Sequence, residues 1–458
     1  MKILNCLFGG RLVLGLVLAV SLSASAQTFT VVPNGSNDTA AIQAAFDNCV
    51  AAGPGCTVQL TSGTFLISQV VVNDFHGTFK GMGQERTIVE ALPDLVINQD
   101  SPFWLSQPSL ANPWPFLISF VDGDITISDM SFKVTEFQPT QGWNFAFGLR
   151  FDALTGAVLV TGSSAKSSIE RIGVEGGPGT SNGVNLLNGV YYEGITLKEN
   201  PADPFDFQPL SGSHSVTSSS FRSLGTGTPI AFLEDARVTI GDAPPTGNTY
   251  ENVLVAIDSL DIGNTTVEFS HNEVLSASVA GVFFIQGAVS VPTEASQLLI
   301  THNNFNVVEV GFGADGILVV DLAPLFGAGK SVDVLISQNT INTQGIAFGG
   351  IDTFLVEGAV ISNNQISGSG TAGILVNAST QCVLLGNNVE NFTAAVAPIW
   401  LLEGTSSCTA VGGNNKANVF DQGTANVLVG VNNVVGNDPG QEIRDAMQRK
   451  LELLKFKP

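Results

Sequence analysis

One short phrase recurs six times between Phe269 and Lys416: FSHNEV, ITHNNF, ISQNTI, ISNNQI, LLGNNV and VGGNNK. Its fourth letter is Asn272, Asn303, Asn339, Asn364, Asn387 and Asn414, so the successive spacings are 31, 36, 25, 23 and 27 residues. A fixed phrase at a variable period is what a coil of strands with loops of unequal length produces. Apolar letters on either side of the Asn fit two short strands meeting at a bend. Asn suits the bend because it tolerates left-handed backbone and its amide can satisfy local backbone groups. With one phrase per turn, the six side chains stack about 4.8 Å apart as an asparagine ladder.

A second phrase, opening on a small residue or Pro, lies upstream of the Asn: GVFFI from Gly281, GILVV from Gly316, GIAFG from Gly345, GILVN from Gly373 and PIWLL from Pro398. Earlier copies are GLRFD from Gly148, GVNLL from Gly183 and PIAFL from Pro229. Together the phrases predict about three strands per turn of an all-β, parallel β-helix. A narrow apolar core built one layer at a time accounts for 44% hydrophobic residues alongside 50 Gly and only 13% charged residues. An antiparallel sandwich also has short strands at close intervals, but it gives no reason for one Asn phrase per period.

Residues 1–26 read as a secretory signal: basic Lys2 and Arg11, an apolar run from Leu12 to Leu22, and the small-residue site Ala24-Ser25-Ala26. The run is shorter than the ~20 residues of a membrane span, so a secreted or periplasmic protein without a membrane span is expected. Cleavage leaves 16 basic against 40 acidic residues. That sign disfavours nucleic acid and anionic membrane as partners, and it admits calcium without requiring it. Four cysteines remain. Cys49 and Cys56 bracket a short loop, and Cys382 and Cys408 stand about one period apart, so two disulfides are expected. Two stacked free thiols are the alternative for the second pair.

The stretch from about 32 to 91 opens with a helix start at Asp38 or Thr39 and apolar positions Ile42, Ala45, Phe46 and Val50. TVQL, GTFLIS, VVV and GTFKGMG follow as short strands. Such a helix would close the open end of a coil, which otherwise exposes core and unpaired backbone. NGSNDTAAIQAAFDNC, then TVQLTSGTFLIS, then GTFKGMGQERTIVEA resembles the entry module of the pectate-lyase-like superfamily of secreted right-handed parallel β-helix proteins. The resemblance implies that fold over residues 27–437. It leaves activity open, since the superfamily includes lyases, hydrolases, epimerases and phage tailspikes.

Residues 98–116, NQDSPFWLSQPSLANPWPF, break the strand rhythm and read as a large loop. Trp104 and Trp114, with Trp143 nearby, offer faces for stacking on sugar rings, or for packing the loop onto the coil. From 438 to 458, Ile443, Met447, Leu451 and Leu454 share one face of an amphipathic helix.

Alternation within the second phrase places Arg150, Asp152 and Asn185 outward, then Ala231, Leu233, Phe283, Ile285, Leu318, Val320, Leu375, Trp400 and Leu402. That face is polar early and apolar later, and an apolar stripe of this length needs a cover: the C-terminal helix is expected, with a loop or a second copy in a homo-oligomer as alternatives to it. The resemblance implies catalysis by carboxylates and basic residues along this face. Its signatures are absent here: the NTD, DD, GHG and RIK elements of polygalacturonases, WIDH and RxPxxR of pectate lyases, and QDTL and GRPW of pectinesterases. What remains is Arg150 and Asp152 with Asn185 beside them, Asp203 and Asp206 in DPFDF, and Glu234, Asp235 and Arg237 in LEDAR. Carboxylates can hold calcium and Arg can grip a uronate; solvated ion pairs explain the same residues. His271 and His302 occupy one place in consecutive phrases, but Gln338 and Asn363 follow, so no third metal ligand is supplied. The leading expectation is a secreted protein that binds or modifies polysaccharide, including a polysaccharide lyase or glycoside hydrolase acting on an acidic glycan. Arg150, Asp152, Asp206 and Asp235 are its candidate catalytic residues, and Trp104, Trp114, Trp143, Asn185 and Arg237 its binding residues. The rival is a non-catalytic surface or adhesion scaffold.

Overall fold

The computed structural model describes residues 27–92, 116–134, 156–176, 187–194, 196–197, 205–206, 209–286, 295–308, 314–326, 331–412 and 418–434. The signal stretch, the Trp-rich stretch up to residue 115, Asn414 and the C-terminal stretch 438–458 lie outside them. Among the described residues, 29 strands join in one sheet whose pairings are parallel, and the ribbon winds into a right-handed coil. Each turn contributes three walls. In the second half the first wall runs through Thr266–Ser270, Ser296–Thr301, Val332–Ser337, Val360–Ser362, Val383–Leu385, Thr409–Val411 and Val427–Val429, each in register with the next. The second wall includes Asn304–Val308 and the opening halves of the long strands Glu273–Gln286, Thr340–Phe354 and Gln365–Asn377. Register shifts between Val274 and Ala277 and between Thr343 and Ala347 then bend those strands into the third wall.

The asparagine ladder stands at the corner between the first and second walls. Asn272 donates through Nδ2 to Oδ1 of Asn303 at 3.2 Å, Asn303 to Asn339 at 3.0 Å, Asn339 to Asn364 at 3.0 Å and Asn364 to Asn387 at 2.9 Å. The remaining Nδ2 hydrogen of each goes to a carbonyl of the preceding turn, as from Asn339 to Ile300 O at 2.8 Å. The ladder starts one turn earlier than the phrase does, with Asn248 donating to Asn272 Oδ1 at 3.1 Å. Its letters, PTGNTY, carry Pro245 where the six phrases have Phe, Ile, Leu or Val three before the Asn. One expectation is corrected: the ladder Asn does not itself take up the left-handed backbone. Its predecessor does, at His271 (φ 56°), His302 (58°), Gln338 (59°), Asn363 (55°) and Gly386 (67°). The bend is made one residue early, which frees the Asn to point inward. The imidazoles of His271 and His302 stack at 4.7 Å and 5° outside that corner.

A hydroxyl column unseen in the sequence occupies the corner before the first wall. Ser296 Oγ accepts from Thr265 N at 3.3 Å and donates to Ile262 O at 3.0 Å, and Thr405 Oγ1 donates to Val376 O at 2.9 Å. Between the corners the core is a file of buried apolar side chains. It includes the stacked rings of Phe221 and Tyr250 at 5.0 Å and of Phe269 and Phe305 at 5.9 Å.

The helix Thr39–Ala52 closes the N-terminal end. Its Phe46 ring meets Phe75, Phe79 and Phe120 at 5.1, 5.0 and 5.7 Å, while Ile42 and Ala45 are buried beside it. Val50, expected on that face, is exposed. Asp38 precedes the helix without capping it; its buried carboxylate instead accepts Asn34 N at 2.9 Å and Leu66 N at 3.1 Å, tying the helix entry to the next strands. Both expected disulfides, Cys49–Cys56 and Cys382–Cys408, are formed, which removes the free-thiol alternative.

Candidate functional site

Six rungs of the third wall begin at a glycine with little or no room for a side chain, Gly189, Gly227, Gly281, Gly316, Gly350 and Gly373, while Ala157, Ala256 and Pro398 hold the same place in others. A Cβ on Gly316 would lie 2.4 Å from Gly350 O and 2.5 Å from Ile341 Cγ2, and one on Gly281 would lie 2.3 Å from Phe305 Cδ1. Counting from that glycine, the first and third residues enter the core and the second and fourth point outward. The register joins Thr228, Ile257, Val282, Ile317, Ile351 and Ile374 on the inside.

This column corrects the phase of three phrases. The rungs begin at Gly189, Gly227 and Gly350, where the sequence reading placed them at Gly183, Pro229 and Gly345. Leu233, expected outward, is a core residue paired with Ile262, because left-handed backbone at Phe232 (φ 56°) breaks the alternation after Ala231. Phe283, Leu318, Leu375 and Trp400 point outward as expected, in one file with Tyr191, Asp258 and Asp352; Ala231, Ile285, Val320 and Leu402 do so in the neighbouring file, with Glu193.

Shifting the phase puts Tyr191 and Glu193 outward, and these are the functional candidates that the sequence reading missed. The signal was present in NGVYYEG, where the glycine two before Tyr191 marks the rung. Tyr191 donates its hydroxyl to Glu193 Oε1 at 3.1 Å, and Thr161 Oγ1 holds the Glu193 carbonyl at 2.6 Å. Burial pushes the Glu193 carboxyl up to about 8, with the bond from Tyr191 working against the rise. Burial and the neighbouring Glu193 charge push the Tyr191 phenol well above its ordinary range, with Asp258 adding to the effect. Asp258 stands two rungs further along the Tyr191 file, about 9.6 Å along the axis at the usual strand spacing. At neutral pH burial thus favours a neutral carboxylic acid beside a neutral phenol, with Asp258 further along. Phe116 packs against Tyr191 at 5.8 Å.

A second buried carboxylate, Asp321, is also raised by burial; it accepts Ser331 Oγ at 2.6 Å and Ala323 N at 3.0 Å. Those bonds tie the hydroxyl corner to the strand before it.

Arg150, Asp152, Asn185, Asp203, Trp104, Trp114 and Trp143 lie outside the described residues. The backbone of Asp206 pairs with Thr196 in a two-stranded antiparallel ribbon separate from the coil. Asp235 and Arg237 are exposed and lie past the third-wall strand, beyond a left-handed turn at Asp235 (φ 54°). Asp235 accepts from Asn264 Nδ2 at 2.6 Å, and Arg237 pairs with Glu268 at 3.2 Å. Among the described residues no three His, Cys, Asp or Glu side chains converge as a metal would need, and no helix is long and apolar enough to cross a membrane. The two disulfides fit an oxidising compartment.

No protein-family model and no characterised protein matches the chain by sequence. Among solved structures, it is similar to the A-module of the Azotobacter vinelandii mannuronan C-5 epimerase AlgE4, at 15% identity over 86% of this chain and 92% of that one, with a TM-score of 0.37. It is also similar to the periplasmic alginate epimerase AlgG, at 14% identity over 83% and 77% with a TM-score of 0.44. The Dettilon tailspike protein matches at 14% identity over 87% and 68%, with a TM-score of 0.48. The chain itself has a parallel β-helix fold. At these identities the likeness extends to the coil alone.

Proposed function

We propose that this protein acts outside the cytoplasm on polysaccharide, binding or modifying it on the outward side of the third wall around Tyr191 and Glu193. The observation that carries the reading is the buried Glu193 carboxyl, hydrogen-bonded to a phenol and facing away from the coil's own core, where burial favours its protonated form. Burying an ionisable group costs free energy that the single bond from Tyr191 only partly offsets, and groups perturbed in this way cluster at functional sites. A neutral acid can donate to a glycosidic oxygen or a sugar hydroxyl, and once ionised it can take a proton from carbon beside a uronic carboxylate. It also donates to a uronate where a carboxylate would repel it, which favours an acidic glycan. Trp104 and Trp114 remain sequence-based candidates for binding, and Arg150 and Asp152 for catalysis.

The test is a panel of neutral and uronate-containing glycans, read for affinity, for new reducing ends and for the ultraviolet absorbance of unsaturated uronates, with and without calcium. The wild type is expected to bind at least one glycan, with affinity or turnover lost in Glu193→Gln and reduced in Trp104→Ala and Trp114→Ala. No affinity across the panel would overturn the reading in favour of a scaffold.

A further inference from the structure

The third wall's outward side carries an apolar cluster on its last turns. Ala372, Leu375, Val396, Ala397 and Trp400 are buried, with Leu402 and Phe420 packed against them. These side chains point away from the coil's core, yet Leu375 is 1% and Trp400 3% exposed. Among the described residues, every element in broad contact with these strands belongs to the coil's own walls.

The chain itself leads there. Its last described strand, Asn432–Asn433, is the next rung of this same wall, pairing with Asn418 and Val419, and Val434 N donates to Val419 O at 2.9 Å. The chain therefore leaves the coil on the wall that carries the cluster, one rung beyond Phe420. The 21 residues from 438 to 458 follow, with Ile443, Met447, Leu451 and Leu454 at helical spacing. From 443 to 454 a helix spans about 17 Å, enough to run back over the two rung spacings from Phe420 through Trp400 to Leu375 at ~4.8 Å each. The stretch also holds five basic residues, Arg444, Arg449, Lys450, Lys455 and Lys457, in a chain where acidic residues outnumber basic ones 40 to 18.

We infer that residues 438–458 dock as an amphipathic helix on this cluster, covering Leu375 and Trp400 and closing the outward side of the last turns. The inference does not depend on the glycan reading.

Limited trypsin digestion of the full mature chain, with released peptides followed by mass spectrometry, tests it. Arg449 and Lys450 lie in the docked helix, so cleavage there is expected to be slow in the wild type. It should accelerate by about tenfold or more in Leu375→Ser/Trp400→Ser, because cleavage follows the population of the open form. Met447→Asp/Leu451→Asp should do the same from the other side of the contact; it alters nothing in the coil, so it decides the matter if the wall variant loses its thermal transition. Equal cleavage rates in wild type and the tail variant would overturn the inference. So would a wild-type dimer, by light scattering, that the wall variant splits while the tail variant leaves it intact, since a second copy would then be the occupant.

Discussion

Asn339 Oδ1 accepts two hydrogen bonds from Asn303, one from its backbone N–H and one from its side-chain Nδ2, both at 3.0 Å. One oxygen thus satisfies two buried donors of the turn before, while Asn339 Nδ2 serves Asn364 and the Ile300 carbonyl. Replacing Asn339 with Ala leaves both Asn303 donors and Ile300 O without partners in a water-free corner. The expected loss is about 2–4 kcal/mol, read as a lowered denaturant midpoint. Asn306→Ala, whose half-exposed amide donates to Leu275 O and accepts from Asn342 Nδ2 outside the core, should cost less, because water can replace those partners. Equal losses would remove the ladder from its place as the main fastening of this corner.

That ladder was legible because an amide stack needs one residue type at one place in every turn. Asn272, Asn303, Asn339, Asn364 and Asn387 could be read from letters alone. The left-handed residue before each was not legible, since His, Gln, Asn and Gly all occupy it and the demand falls on backbone. The third wall was read out of phase at Gly183, Pro229 and Gly345 because apolar letters fill both faces there. Leu, Phe and Val are as common outward as inward when the outward side is itself covered. Alternation then loses its contrast, and Glu193 could not be told from a residue of a loop. The glycine column, which holds the phase, was readable only once pairing showed which glycines stack.

Gly316 makes the close approach of that column testable. Its backbone φ lies outside the left-handed region, so a change to Ala meets steric and not conformational resistance. The added methyl meets the Gly350 carbonyl and the Ile341 side chain, and backbone oxygen cannot rotate away. Gly316→Ala should destabilise by about 1–3 kcal/mol in thermal or urea unfolding. Gly404→Ala is a poor control because of its φ of 93°. Gly349→Ala, with its nearest atom at 3.1 Å, should be milder, and the reverse order would contradict the column.

Glu193 sets a second measurable slope. Its folded pKa of about 8 lies above its ordinary 4.5, so the folded state keeps a proton that the unfolded state releases. Stability is undiminished below about 4.5, declines as pH rises, and the loss is complete above about 8. At ~1.36 kcal/mol per unit the loss approaches roughly 4–5 kcal/mol at full ionisation, an upper bound. Glu193→Gln cannot ionise, so its stability relative to wild type should climb through that window, measured by unfolding at several pH values. A constant difference would show that Glu193 titrates normally.

His214 runs the opposite way. Burial lowers its pKa from 6.5 to about 4, opposed by its bond to Ser211 O. The neutral ring is held by Nε2–H donating to that carbonyl at 3.0 Å and Nδ1 lying 3.1 Å from Ser167 Oγ, with Tyr192 packed at 5.0 Å. The unfolded chain takes up the proton first as pH falls. The stability that depends on the neutral ring is therefore complete above about 6.5 and lost progressively toward about 4. Between about 4.5 and 6.5 this loss on acidification opposes the gain from Glu193, so the wild type should be nearly flat there. His214→Gln should unmask the Glu193 slope, with stability falling as pH rises, and Glu193→Gln should unmask the His214 slope of opposite sign. A double variant that remains as pH-dependent as either single one would place the titration on other groups.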